Sequence, residues 1–418
     1  MSVGYVALLR GNQPFRRLWY GQVISQLGDW LDSIALFTLL LTLTGSGESV
    51  GMLLVAQFLP GALVGPFAGV VVDRLPRRLV LIASDLGRAL LVLLFLLVHS
   101  AADIWLIYLV VILKVVLTSF FEPARSAITP DVCTREELVA ANAISGATWS
   151  AMLALGAALG GMVVGLLGVQ ASFVLDALSY LLSASIIVTV RVGEKQTTGG
   201  AHGSPSAPST RVLGELGEGL RYIFAHSEVA WLTFSKGLWS MGGGVLLLLA
   251  LFGRELFPLG RDGALSIGLL YAARGIGAGI GPILAQRLFG DGQRFLRRAV
   301  GVSYVITAIG YVGFGYAPTL LLAMLAVVFA HIGGSVQWVF STALLQMRLP
   351  DHLRGRVFAI EYAGLTLTTA LSSYLTGLAS DSGIAPRSLS VGLAAVFLLF
   401  GVIVTAALWR GFADKASA

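Results

Sequence analysis

The sequence predicts an all-α integral membrane protein, and three observations lead to this fold class. Of the 418 residues, 56% are hydrophobic and only 12% are charged, whereas a water-soluble chain carries roughly 25% charged residues. The mean hydropathy is +0.85. Apolar runs of about 18 or more residues, the length that a helix needs to cross a bilayer, recur along nearly the whole chain.

Short polar segments separate these apolar runs into twelve expected transmembrane helices. The expected spans are 16–43, 48–72, 79–99, 103–122, 138–165, 169–190, 227–252, 264–288, 297–316, 318–344, 357–380 and 387–410.

The basic residues predict the orientation of these helices. Most of the 28 lysines and arginines fall in alternate connecting segments, which the positive-inside rule places in the cytoplasm together with both termini. The opposite side carries only Arg254, Arg261 and Arg387. The net charge of +6 therefore reflects membrane orientation, and no continuous basic face for a nucleic acid is present.

A polar segment divides the chain into two halves. Residues 191–211 are rich in Gly, Ser, Thr and Pro, as is typical of a flexible linker. The dipeptide GP at 65 recurs at 281, and PD at 130 recurs at 350, so the halves are similar. We expect an N-terminal six-helix bundle at 1–190, a cytoplasmic linker at 191–226 and a C-terminal six-helix bundle at 227–418. Parallel repeats of this kind are typical of transporters.

Several kinds of chemistry find no support in the sequence. Cys133 is the single cysteine, and the five histidines have no metal-ligand spacing. No phosphate-binding loop is present, and no nucleophile, base and oxyanion set is apparent. We therefore expect neither a metal nor a cofactor, and no enzyme activity.

The loop after the second expected helix resembles a signature of the major facilitator superfamily. The segment GVVVDRLPRRLVL, 69–81, has the signature's spacing of Gly, Asp, Arg and a basic pair, with Pro76 where the family has Gly. The resemblance implies a gating loop whose aspartate exchanges ion pairs as one side of the protein closes and opens. Anchoring by positive charge alone is the alternative. The matching residues are Gly69, Asp73, Arg74, Arg77 and Arg78.

The fifth expected helix carries a second resemblance. GAALGG, 156–161, is similar to the glycine-rich motif of the superfamily's exporters, with Gly156, Gly160 and Gly161 in place and Ala157 where Pro is usual. The motif implies antiport. An alternative of equal weight is that these small residues serve only to allow close helix packing.

Longer segments narrow the resemblance to bacterial exporters of the macrolide-efflux and enterobactin-exporter type. These segments are NQPFRRLWYGQVISQLGDWL at 12–31, FFEPARSAITPDV at 120–132, ELVAANAI at 137–144 and FVLDALSYLLSA at 173–184. The resemblance implies two pseudo-symmetric six-helix bundles, a location in the bacterial inner membrane, and small-molecule substrates, protons and lipids as partners of a monomer. It leaves the role of Glu122 open.

Polar residues form one stripe along the first expected helix. Gln22, Gln26, Asp29 and Asp32 recur at steps of three and four among Leu, Ile and Val, so they share one face. Carboxylates at this depth are costly in lipid and are expected to face a cavity or another helix. We expect proton coupling at Asp29 or Asp32; a fixed ion pair is the alternative.

In the superfamily's fold, the first, fourth, seventh and tenth helices line the substrate cavity. An aspartate that faces Lys114 or Lys236 would have its charge offset. The tryptophans are candidates for stacking on substrate, or for packing and interfacial roles. Glu361 is a candidate second protonation site or a residue of the cytoplasmic rim. The cavity candidates outside the first helix are Lys114, Trp149, Lys236, Trp239, His331, Gln337, Trp338 and Glu361.

These expectations combine into one functional hypothesis, a proton-coupled exporter of small amphiphilic compounds such as drugs, macrolides or siderophores. A lysophospholipid flippase or a nutrient symporter on the same fold is one alternative. A transport-inactive receptor or platform is another, although it would have no need of the aspartate stripe.

Overall fold

The computed structural model describes residues 4–72, 74–191, 209–290 and 292–416. Within those ranges the chain forms fifteen α-helices and no strand, as the sequence predicts. The helices are α1 Tyr5–Gly11, α2 Gln13–Thr44, α3 Gly47–Val72, α4 Arg77–Leu93, α5 Ile104–Val132, α6 Arg135–Leu167, α7 Val169–Val188, α8 Ser209–Ala225, α9 Ser227–Ser240, α10 Val245–Leu251, α11 Ala264–Phe289, α12 Gln293–Tyr316, α13 Leu320–Arg348, α14 Asp351–Asp381 and α15 Pro386–Ala416.

Eleven segments of the described residues are long and apolar enough to cross a membrane. The remaining expected span, the eleventh at 357–380, lies within α14, which has 31 residues but is rich in Ser and Thr. Its hydroxyl groups donate to carbonyl oxygens one turn earlier, as Thr368 does to Gly364 and Thr376 to Ser372, both at 2.8 Å. Polar groups that are satisfied within the helix allow such a segment to lie in an apolar environment.

The seventh expected span is not one continuous helix. It consists of α9, a turn through Gly242–Gly244, α10 and a π-helical turn at Phe252–Leu256. A Cβ atom at Gly242 would lie 2.3 Å from the Phe397 ring, and one at Gly244 would lie 1.9 Å from Thr376 Oγ1. Since only glycine fits at these contacts, the break lets α14 and α15 approach the chain closely.

The expected linker contains a helix in its second part. Residues 192–208 lie outside the described residues, and α8 begins at Ser209. Ile223 of α8 is buried, and Glu218 pairs with Arg356 of α14 at 2.5 Å. The linker therefore ends in a helix that packs on α14.

By packing, the described residues divide into two compact units. Unit 1 contains α1, α2, α4 to α7, the part of α3 from Leu63 and the segment Pro258–Ala272. Unit 2 contains the segment Ser46–Ala62, α8 to α10 and the chain from Ala273 onward.

The start of α3 is attached to α14 within unit 2. The Asp381 carboxylate accepts hydrogen bonds from the backbone N–H groups of Gly47 and Glu48, at 2.6 and 3.1 Å. It also accepts one from Ser46 Oγ at 2.5 Å. A carboxylate at this end of a helix satisfies otherwise unpaired N–H groups and complements the helix dipole.

Candidate functional site

Three aspartates share one lysine inside unit 1. The ammonium nitrogen of Lys114, on α5, lies 2.5 Å from Asp32 Oδ2, 3.2 Å from Asp29 Oδ1 and 3.2 Å from Asp176 Oδ2. Two of the aspartates belong to the stripe on α2, and the third comes from α7. We call Asp29, Asp32, Asp176 and Lys114 the aspartate–lysine cluster.

A glycine on α2 allows α7 to reach this cluster. A Cβ atom at Gly28 would lie 2.0 Å from Ser179 Oγ and 2.3 Å from Asp176 Oδ1. Any side chain at this position would push α7 away from α2. The sequence LGDWLD thus places a small residue directly before the first aspartate, where the two helices are in contact.

Tyr180 connects the cluster to a second buried ion pair. Its hydroxyl donates to Asp29 Oδ1 at 2.5 Å, and its ring lies 4.4 Å from the Arg88 guanidinium. Arg88 pairs with Asp85 one turn earlier on α4, a spacing of three residues at which side chains on a helix meet. Ser183 donates to Asp85 Oδ2 at 2.7 Å. Polar contacts therefore run through α2, α4, α5 and α7.

This network contains more acidic than basic groups. Within the described part of the chain, four carboxylates, of Asp29, Asp32, Asp85 and Asp176, face two cations, Lys114 and Arg88. The Asp29 side chain is 37% exposed, whereas those of Asp32 and Asp176 are 4% and 0% exposed. Asp32 Oδ1 is buried without a hydrogen-bond partner among the described residues. Asp29 is thus the most exposed carboxylate of the cluster.

Lys236 has a different partner from the one that the sequence suggested. It lies in unit 2 and pairs with Glu361 Oε1 of α14 at 3.0 Å. Its ammonium group also donates to Thr342 Oγ1 at 2.6 Å and lies 4.7 Å from the Trp338 ring. Both charged side chains are buried. Of the two lysines considered, Lys114 is the one beside the aspartates.

The other candidates of unit 2 pack next to this ion pair or among aromatic rings. His331 Nε2 lies 2.8 Å from the Tyr311 hydroxyl. Gln337 Nε2 donates to Ser235 Oγ at 3.1 Å, and its Oε1 has no partner within the described residues. Trp239 packs on Phe397, with ring centroids 5.3 Å apart.

The stripe on α2 continues towards a further ionic pair in unit 1. Gln22 Oε1 accepts a hydrogen bond at 3.3 Å from Arg125, and Arg125 pairs with Glu122 at 2.7 Å. Gln26 Oε1 is buried and has no partner in the part of the chain that the structure describes. Trp149, on α6, is 48% exposed.

The expected gating loop is described in part. Asp73 lies outside the described residues, so its ion pairs are not described. Arg77 pairs with Asp131 at 2.6 Å, and Arg78 donates to the backbone carbonyl of Val188. Asp131 belongs to the PD dipeptide that follows the fourth expected helix. Gly69 and Arg74 lie at the end of α3 and in the turn after it.

The glycine motif lies where three helical segments meet. Gly156 and Gly160 lie against Trp30 of α2, and a Cβ atom at either would approach Trp30 to 2.9 or 3.0 Å. A Cβ atom at Gly161 would lie 2.7 Å from the Ala264 carbonyl oxygen at the start of α11. Close packing thus accounts for the three glycines, in line with the packing interpretation of the motif.

The sequence interpretation omitted Asp176 and Tyr180 from the site. A signal was available for Asp176, since it is a lone acid within an apolar run and such acids mark functional positions in membrane helices. Tyr180, one turn later, carries no comparable signal. Its role depends on two partners from other helices, which periodicity cannot identify.

Comparison with known proteins assigns this architecture to a class of membrane transporters. The chain matches the family described as transmembrane secretion effector over residues 5–416 and therefore belongs to that family, within the major facilitator superfamily. The predicted all-α fold and the superfamily resemblance are thus confirmed, and the chain is a multi-pass membrane transporter of small molecules.

Individual relatives are distant but cover nearly the whole chain. Macrolide efflux protein A of Streptococcus pyogenes is 25% identical over 406 residues, 93% of this chain and 93% of that protein. The enterobactin exporter EntS of Escherichia coli O81 is 24% identical over 412 residues, 94% of each chain. An uncharacterised MFS-type transporter of Mycobacterium tuberculosis is 28% identical over 408 residues, 94% of this chain and 89% of that protein.

Solved structures share the fold at lower identity. A bacterial homologue of the iron transporter ferroportin, in an inward-facing state, superposes with a TM-score of 0.70 at 16% identity, covering 96% of this chain and 98% of that chain. The nucleoside transporter NupG gives a TM-score of 0.70 at 13% identity and covers 96% and 99%. At identities of 16% and 13%, the likeness shows the fold alone.

Proposed function

We propose that this protein is a proton-coupled secondary active exporter of small amphiphilic compounds such as drugs, macrolides or siderophores. The observation that carries the proposal is the aspartate–lysine cluster, in which Lys114 contacts three carboxylates inside apolar helices. The relatives named as a macrolide efflux protein and an enterobactin exporter support the direction and the class of cargo.

Proton uptake follows from the excess of negative charge in the cluster. Neighbouring carboxylates in a medium of low dielectric constant repel one another, and one ammonium group does not neutralise three of them. The half-exposed Asp29 takes up a proton from one side of the membrane. Asp29 releases this proton to the other side when the cavity changes the side to which it opens. Lys114 then compensates the negative charge of the deprotonated Asp29. A bound substrate that competes with this proton couples the two fluxes.

The membrane potential is sufficient for useful export. One proton that crosses about 100 mV supplies about 2.3 kcal/mol, which corresponds to roughly a 50-fold substrate gradient. We further propose that the protein is a monomer in the bacterial inner membrane with both termini in the cytoplasm. Residues 1–190 and 227–418 then act as the two halves that alternate access, joined by the linker at 191–226.

Proton coupling is tested in everted membrane vesicles that respiration acidifies inside, with a pH-sensitive dye as the reporter. A panel of lipophilic cations, macrolides and siderophores is added to wild type, Asp29→Asn and Asp32→Asn. The matched control is Asp103→Asn, which removes a carboxylate from an exposed turn. We expect dye recovery in wild type and in the control, and its loss in at least one of the cluster variants at equal protein levels.

Two results would contradict the proposal. Absence of recovery with every compound would exclude proton antiport of these substrates. Equal recovery in all four proteins would show that neither aspartate carries the proton. Detergent-solubilised samples of each variant must elute as single monodisperse species, so that loss of coupling is separated from loss of folding.

A further inference from the structure

One face of α7 carries three polar side chains that reach three other helices of unit 1. Asp176, Tyr180 and Ser183 follow one another at steps of four and three residues, so they share a face. All three are fully buried. Their partners lie on α5, α2 and α4 respectively. Each partner is a charged residue, so this face of α7 helps to position charged groups on its neighbours.

The ring of Tyr180 lies beside two cations. The Arg88 guanidinium is 4.4 Å from the ring centroid, and the Lys114 ammonium nitrogen is 5.4 Å from it. Phe121 also contacts Arg88, with 4.3 Å between the guanidinium and the ring centroid. Cation–π contacts strengthen when they are removed from water. The Tyr180 ring is therefore held in one place, and its hydroxyl group has a fixed position.

The two oxygens of the Asp29 carboxylate differ in their surroundings. Oδ1 accepts a hydrogen bond from the Tyr180 hydroxyl at 2.5 Å and lies 3.2 Å from the Lys114 ammonium nitrogen. No residue in the described ranges donates a hydrogen bond to Oδ2, and 37% of the side chain is exposed. Each carboxylate oxygen has about two acceptor sites, and on Oδ1 both are taken. The oxygen that is open to a proton is therefore Oδ2.

Charged groups of both signs act on Asp29 from the helices around it. The cations are Lys114 on α5 and Arg88 on α4, and the carboxylates are Asp32 on α2, Asp85 on α4 and Asp176 on α7. These charges act on the carboxyl group as a whole. The Tyr180 hydroxyl differs from them, because it is neutral and directs one hydrogen bond at one oxygen. The charges thus decide whether Asp29 is protonated, and Tyr180 decides where.

We propose that Tyr180 is a positioning residue that holds Oδ1 of Asp29, so that the transported proton binds to Oδ2. On loading, an O–H bond forms at Oδ2, and Oδ1 becomes the carbonyl oxygen that still accepts from Tyr180. On release, the electron pair of that O–H bond returns to the carboxylate. This inference rests on the proposed exporter function and assigns the proton-binding atom of its site.

The test observes the protonated carboxyl group directly and does not need transport. Infrared difference spectra between acidic and alkaline pH are recorded on the purified full-length protein in nanodiscs of phosphatidylcholine. The carboxylic-acid carbonyl band that disappears in Asp29→Asn belongs to Asp29, since ionised and amide side chains absorb elsewhere. Tyr180→Phe removes the hydroxyl group and keeps the ring. The matched control is Tyr304→Phe, because the Tyr304 side chain is also fully buried and donates to the Ser235 backbone carbonyl at 2.5 Å.

A hydrogen bond to a carbonyl oxygen weakens the C=O bond and lowers its stretching frequency. We therefore expect the Asp29 band to move to higher wavenumber in Tyr180→Phe and to stay in place in Tyr304→Phe. Each variant loses one buried hydrogen bond, so the melting temperatures should fall by similar amounts. The band shift thus separates positioning of Asp29 from a general loss of stability.

Transport kinetics provide a second measurement. In the vesicle assay, Tyr180→Phe should lower the maximal rate of dye recovery about tenfold, the effect of losing one hydrogen bond to a charged group. The half-saturating substrate concentration should change less than about twofold, because Tyr180 contacts the aspartate and not the substrate. Tyr304→Phe should keep the wild-type values of both.

The outcomes separate this inference from the exporter function. An Asp29 band at the same wavenumber in wild type and Tyr180→Phe would overturn the positioning role, even if the vesicle assay shows proton-coupled export. If Asp29→Asn removes no carbonyl band, Asp29 binds no proton, and its proposed role in coupling fails as well. A shifted band without dye recovery for any compound would support the positioning role and count against proton antiport.

Discussion

Lys114 is the residue on which the charge balance of unit 1 depends. Its ammonium group is the only partner that the described residues give to Asp32, and it also contacts Asp29 and Asp176. Breaking a buried ion pair by removing one partner leaves an uncompensated charge and typically costs about 3–5 kcal/mol. Here the loss of one cation would affect three carboxylates at once.

We therefore expect Lys114→Gln to lower the melting temperature of the detergent-solubilised protein strongly and to reduce its level in the membrane. The double variant Lys114→Gln/Asp32→Asn should recover much of the loss, because it removes the carboxylate that lies 2.5 Å from the lysine. Fluorescence-detected thermal unfolding of both variants provides the measurement.

The two variants also distinguish a structural lysine from an unimportant one. If Asp32→Asn changed stability by the same amount in the Lys114→Gln background as in wild type, the two residues would not be coupled. The difference between those two effects measures their coupling.

At the scale of elements, small residues decide which helices approach one another. Gly28 brings α7 onto α2, and Gly161 brings the start of α11 onto α6. A Cβ atom at Gly28 would meet Asp176 and Ser179 of α7 at less than van der Waals distance. The glycine is therefore part of the site, although it carries no side chain.

Replacing Gly28 by alanine should destabilise the protein, although alanine has the higher helix propensity. A Gly→Ala change inside a helix ordinarily stabilises by up to about 1 kcal/mol, but overpacking at a tight contact costs about 1–3 kcal/mol. We expect Gly28→Ala to lower the melting temperature and to abolish proton-coupled transport. Gly65→Ala in α3, where nothing lies within 4 Å of the added Cβ atom, should leave the melting temperature unchanged or raise it.

The contrast between the two glycines is the informative result. If Gly28→Ala were as stable and as active as Gly65→Ala, the α2–α7 contact would not be the element that positions Asp176. Thermal unfolding and the vesicle dye assay, run on the same preparations, measure both properties.

At the scale of the whole molecule, the single cysteine gives access to membrane topology. Burial and the neighbouring Glu137 carboxylate raise the pKa of the Cys133 thiol to about 12. A raised thiol pKa removes the reactive thiolate at neutral pH, and at pH 8 its fraction falls about 1,000-fold relative to a thiol of pKa 9. Labelling of wild type by maleimide should therefore be slow at pH 7–8 and accelerate as the pH rises towards 12.

Because Cys133 is labelled slowly, the labelling of an introduced cysteine shows on which side of the membrane that residue lies. If twelve helices cross it with both termini in the cytoplasm, an impermeant maleimide should label Ala102→Cys and Ala385→Cys in intact cells. Ala225→Cys should be labelled only after permeabilisation. Labelling of Ala225→Cys in intact cells would contradict the orientation inferred from the basic residues.

How far the site could be predicted from the sequence differs between its residues. The period of the α2 stripe identifies Asp29 and Asp32, because helical periodicity is a local property. The choice between Lys114 and Lys236 as their partner is not local, since both occupy similar positions in apolar runs. Packing decides it by placing Lys114 beside the aspartates and Lys236 beside Glu361.

The sequence by itself determined the all-α membrane fold, the approximate spans and the superfamily, because hydropathy and the signature spacings are properties of short segments. Only the tertiary structure decided that Asp176 and Tyr180 join the site and that the seventh span breaks at Gly242–Gly244. Each of these depends on contacts between helices that are distant in the chain, and such contacts depend on the volume and polarity of several side chains at once.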